Sequence, residues 1–164
     1  MSARIGFGTV VCGVLLAGCQ PDLGAAREPI ALDEPFYRCK VQPILVKSCG
    51  ALLCHGDATR FYRIFGRNRL RYGLPEEKRG DPLMDEETAF NYQSALAYVD
   101  AEEPEKSLLL LKPLDQAAGG YYHGGALEFD QGDVYLSKEE PEFQVLIEWV
   151  NGAKEDELCV EPGL

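Results

Sequence analysis

The stretch Cys49-Gly50-Ala51-Leu52-Leu53-Cys54-His55-Gly56 constrains this chain more than any other. Two cysteines are followed at once by one of only two histidines in 164 residues. A Cys-x-x-Cys-His run is an attachment signature for c-type haem: the thiols bond to the porphyrin vinyl groups and the histidine ligates the iron. Here four residues separate the cysteines instead of two. The motif therefore takes its meaning from the rest of the chain.

Residues 1–18 are expected to be a signal peptide. Arg4 is the only charge ahead of an apolar run from Ile5 to Leu16, a run too short to span a bilayer as a stable helix. It ends in Leu16-Ala17-Gly18-Cys19, which resembles a bacterial lipobox. Cleavage before Cys19 would leave its thiol to carry lipid, with an ordinary secretory signal as the alternative. Gln20 follows, not the aspartate that retains such proteins at the inner membrane. The expected address is the bacterial cell envelope: lipid-anchored, in the outer membrane and facing the periplasm.

Residues 19–33 read as a tether of Pro, Gly and Ala without periodicity, and residues 34–164 as one folded domain. The formal charge of −11 excludes nucleic acid, whose phosphates need a basic surface. It favours a basic protein partner. No Gly-x-Ser-x-Gly, phosphate loop or His-Glu-x-x-His occurs, so nothing points to an enzyme. Carboxylate runs such as Asp85-Glu86-Glu87 suit solvated helix starts.

Helical spacing from Phe36 to Ser48, interrupted by Pro43, predicts a leading turn and then a helix from about Gln42 to Cys49. The segment from Arg60 to Tyr72 carries five arginines in an acidic chain. Phe61, Tyr62 and Phe65 could line a pocket, or the arginines could form a solvated face over buried aromatics. Residues 73–85 read as a loop. Glu86 to Val99 has the periodicity of an amphipathic helix. Pro104 suits the first turn of a short helix through Leu111, which Pro113 stops. The glycine-rich stretch from Gln116 to Asp133 reads as a long irregular loop holding His123. Ser137-x-x-Glu140 is a capping box ahead of a final helix with Phe143, Leu146, Ile147 and Val150 on its apolar stripe. Strand signals are weak, the best being Val134-Tyr135-Leu136. The expected class is all-α, with long irregular loops.

Val41-Gln-Pro-Ile-Leu-Val-Lys-Ser-Cys49, then Cys54-His55-Gly56, resembles the opening of the cytochrome c-like domains of planctomycete and myxobacterial proteins. Ser107-Leu-Leu-Leu-Leu-Lys-Pro113, then His123-Gly-Gly125, then Phe143 to Gly152 with Trp149, is similar to their second half. The motifs are short, and their order over residues 36–153 carries the resemblance. It implies a small all-α fold with haem c between the first and last helices. Carried over by position, Cys49 and Cys54 would form the thioether bonds and His55 would be the proximal iron ligand. The loop before the last helix, where many mono-haem cytochromes place a methionine, holds none. His123 lies there and is the expected distal ligand, with Met84 as runner-up. The arginines become candidate partners for haem propionates, because a planar donor fork suits a carboxylate. The sequence does not choose which.

Cys39 and Cys159 are then left over at the two ends of the domain. Their pairing would close a long loop, worth roughly 4–5 kcal/mol on the chain-entropy model. Four cysteines allow three pairings, so this stays open. The leading expectation is a mono-haem electron-transfer lipoprotein with a redox protein partner. The alternative is a non-redox, disulfide-stapled envelope lipoprotein that lacks haem. A Cys2His2 zinc set from Cys49, Cys54, His55 and His123 ranks third.

Overall fold

The computed structural model describes residues 30–124 and 132–155. The expected signal peptide, the lipidation residue Cys19, most of the tether and Cys159 lie outside the described residues. Among the described residues no helix is long and apolar enough to cross a membrane.

Asp33 opens the fold. Its carboxylate accepts the Phe36 N–H at 2.7 Å, capping the short helix α1, Glu34–Phe36. The chain continues through a π-helical turn, Tyr37–Val41, into α2, Gln42–Cys49. The helix from Gln42 to Cys49 is the predicted one, but Pro43 does not interrupt the helical run that leads into it. The Gln42 N–H donates to the Tyr37 carbonyl, five residues back, so the turn ahead of the proline is widened. Pro43 itself falls in the first turn of α2, where its missing N–H is not needed.

Helix α3, Asp85–Leu96, starts on three carboxylates, which its N-terminal dipole favours. It stops short of the predicted Val99, because the chain turns over Ala97 and Tyr98. A 3-10 turn, Pro104–Lys106, leads into α4, Leu108–Leu111. The last helix, α5, is Pro141–Val150. The capping box predicts an earlier start. Glu140 makes one half of that box, accepting the Ser137 N–H as well as that of Leu136, but the turn it holds is separate from the helix. The weak strand signal at Val134–Leu136 corresponds to one parallel bridge, Leu114 to Tyr135.

Regular structure among the described residues is thus helical, as an all-α reading requires. The core gathers on α5. Phe143, Leu146 and Trp149 are essentially inaccessible to solvent and pack with Tyr37, Val41, Leu109 and Leu114. Trp149 lies 5.1 Å from the Tyr37 ring, and its indole N–H donates to the Asp33 carbonyl at 3.0 Å. The first and last helices therefore close on each other. Lys40 and Glu155, 3.1 Å apart, add a charge pair at the same junction.

Candidate functional site

Helix α2 delivers Cys49 at its last position, with the residue buried. The loop that follows is tied into a ring. The His55 N–H donates to the Cys49 carbonyl at 3.1 Å, and Cys54 and Gly56 both donate to the Ala51 carbonyl at 2.9 Å. Gly56 is required by this closure, because a Cβ there would stand 2.3 Å from the Gly50 carbonyl oxygen. The unusual four-residue spacer is thus a compact, internally bonded turn.

The ring holds His55 in a defined state. Its Nδ1 lies 2.9 Å from the Tyr62 carbonyl. A carbonyl only accepts, so Nδ1 carries the proton and Nε2 keeps a free lone pair. Burial pushes the His55 pKa below its usual value, partly opposed by that hydrogen bond, and His123 and Arg60 lower it further. The Tyr62 ring packs on His55 at 4.8 Å and on Tyr98 at 4.9 Å.

Across from His55 stands His123. The two imidazoles are nearly parallel, 14° apart, with centres separated by 5.9 Å. Burial lowers the His123 pKa as well, with Asp133 opposing and Lys112 adding to the shift. Both rings are neutral at pH 7, the state in which imidazole binds metals.

The two histidines border a cleft of about 300 Å³. Its walls are mostly apolar, built by Leu45, Tyr62, Tyr98, Leu108 and Leu109, and Cys49 also lines it. Among the described residues, Arg60 and Lys112 are its cationic ones and no carboxylate lines it. Among the described residues, the buried Tyr62 hydroxyl has no hydrogen-bond partner.

Both Cys49 and Cys54 are free thiols, whereas Cys39 is disulfide-bonded. The partner of Cys39 is therefore outside the described residues, as is the expected Cys159. Burial, together with the charges of Cys54 and Glu142 and against that of Arg69, pushes the Cys49 thiol up to about 12, so it stays protonated.

The other candidates fall elsewhere. Met84 precedes α3 and is not part of the pocket wall. Of the five arginines, Arg60 borders the pocket, while Arg71 is buried against Glu87 and Arg63 sits 5.3 Å over the Phe90 ring. Phe61 and Tyr62 do line the pocket, but Phe65 turns to Phe90. Among the described residues no group of three or more His, Cys, Asp or Glu side chains could hold a metal ion. The zinc tetrad is therefore not assembled. Lys112 carries no sequence signal for a place at the pocket beyond its position between the leucine run and Pro113.

Chemically, the pocket offers one thiol, that of Cys49, and two neutral imidazoles to an apolar space with cations at its edge, and the free Cys54 precedes His55 in the adjoining turn. For a c-type haem, the residues that could hold it are Cys49 and Cys54 as thioether donors and His55 and His123 as nitrogen ligands. No family model, curated protein or solved structure matches the chain.

Proposed function

We propose that the protein is a mono-haem c-type cytochrome lipoprotein that carries electrons in the bacterial cell envelope. The observation that carries this reading is the parallel pair His55 and His123 across one apolar pocket, beside two cysteines held outside the disulfide framework. A haem bound there would supply a one-electron couple, and two nitrogen ligands would set it lower than a thioether ligand would. The chain's own part is to exclude water with Leu45, Leu108 and Leu109 and to fix the His55 tautomer through the Tyr62 carbonyl. Arg60 and the orphan Tyr62 hydroxyl are the groups suited to haem carboxylates. The small all-α domain would then be cytochrome c-like, lipid-anchored through Cys19, and would meet a redox protein at the pocket mouth.

The competing reading, a stapled lipoprotein without haem, draws on the Cys39 disulfide. Intact mass of the denatured protein, made with haem-maturation machinery, tests the choice. The proposal expects haem mass retained in the parent and lost in a Cys49→Ala, Cys54→Ala double variant. A parent of polypeptide mass alone would overturn it.

A further inference from the structure

We infer that Lys112 is a positioning residue: its ammonium, bonded to the Tyr122 carbonyl, sets where His123 stands relative to His55. The inference rests on the proposed two-histidine site and adds a residue to it.

Among the described residues, a few backbone bonds and one side-chain bond hold the segment carrying His123. Tyr121 and Tyr122 are about half exposed, at 49 % and 55 %, so burial does not anchor them. The N–H groups of Gly120 and Tyr121 are tied to the Asp115 carbonyl at 2.9 Å and the Leu111 carbonyl at 2.7 Å. One residue further on, Lys112 Nζ donates to the Tyr122 carbonyl at 2.9 Å, next to His123. This bond reaches over the pocket edge, since Lys112 lines the pocket together with His123.

The point from which Lys112 reaches is itself fixed. Leu109, Leu110 and Leu111 are buried, and the Leu109 N–H donates to the Tyr98 carbonyl at 3.0 Å. Tyr98 packs on Tyr62, and Tyr62 packs on His55. Both histidines are thus referred to one short helix, His55 through aromatic stacking and His123 through the lysine. The Lys112 residue is exposed, so its loss removes the tie without opening the core.

The test uses haem-loaded full-length protein and its Lys112→Leu and Lys112→Arg variants. Added cyanide competes with His123 for its place, and the shift of the Soret band reports the exchange. Lys112→Leu should bind cyanide roughly tenfold more tightly than the parent, the scale of losing one charged hydrogen bond. Lys112→Arg, which keeps a donor, should return toward the parent. A Lys112→Leu variant with parental spectrum and cyanide affinity overturns the inference, even if its potential shifts. So does an arginine variant as loose as the leucine one. If the parent carries no haem, the functional reading fails by itself. The inference is then read in the colourless protein from the nuclear Overhauser contact between the two imidazoles: loss in Lys112→Leu supports it, and retention overturns it.

Discussion

Arg71 and Glu87 form a fully buried ion pair, with Arg71 Nη2 2.8 Å from Glu87 Oε2 and side chains 1 % and 0 % exposed. The guanidinium also donates to the carbonyls of Lys78, Arg79, Asp81 and Pro82. Glu87 in turn accepts the N–H groups of Tyr72 at 2.7 Å and Met84 at 2.9 Å. One charge pair thereby organises the loop between residues 72 and 84, which has little regular structure of its own.

Removing one partner leaves a buried charge unpaired. Arg71→Leu and Glu87→Leu should each cost about 3–5 kcal/mol. Arg71→Lys should recover little, because an ammonium lacks the planar fork that reaches both the carboxylate and the carbonyls. Urea unfolding at neutral pH measures all three.

The same pair makes stability depend on acid. Burial raises the Glu87 pKa, but the hydrogen bonds from Arg71, Met84 and Tyr72 and the Arg71 charge outweigh it, and the net shift is downward from 4.5. A carboxylate with a depressed folded-state pKa gives stability that is complete above its unfolded value and lost as pH falls through the folded one. Stability should therefore decline below pH 4.5. Glu87→Gln should be weaker at neutral pH and should lack that part of the decline, as read from unfolding midpoints across the acid range.

Two glycines control the site loops. A Cβ at Gly56 would meet the Gly50 carbonyl oxygen at 2.3 Å, and one at Gly120 would meet the Leu114 carbonyl oxygen at 1.8 Å. Both obstacles are backbone, so the loops must move. Gly56→Ala and Gly120→Ala should each cost about 1–3 kcal/mol, the range for overpacking. Gly56→Ala should also lower the yield of haem-loaded protein, measured as absorbance per mole of chain. Gly120→Ala should leave attachment intact and disturb only the second histidine.

The proposed site favours His123 over Met84 as the distal ligand. His123 lies parallel to His55 and lines the same pocket, whereas Met84 lies outside its wall. His123→Ala should convert the reduced spectrum from low spin to high spin, and Met84→Ala should leave it unchanged. The opposite pattern would assign the methionine.

Much of this was readable from residue types and order. Cys49, Cys54 and His55 are adjacent in sequence, and His123 is one of only two histidines, so the candidates were few. The helices around Cys49, Phe90 and Trp149 announced themselves by apolar spacing. The π-helical turn at Tyr37–Val41 did not, since Pro43 fits either a broken helix or a widened one. The segment from Arg60 to Tyr72 looked uniform, yet its arginines do different work. Arg71 finds carbonyls up to eleven residues away through a loop without periodicity, and no local pattern encodes that. Lys112 was hidden for a similar reason, because its partner is a backbone carbonyl ten residues on.

The most direct test of the central claim is a pyridine haemochrome spectrum of the purified protein after denaturation. The account predicts a c-type spectrum at one haem per chain, with the colour staying on the polypeptide through acid–acetone extraction. Colour that extracts into solvent, or a colourless protein, would contradict covalent attachment at Cys49 and Cys54.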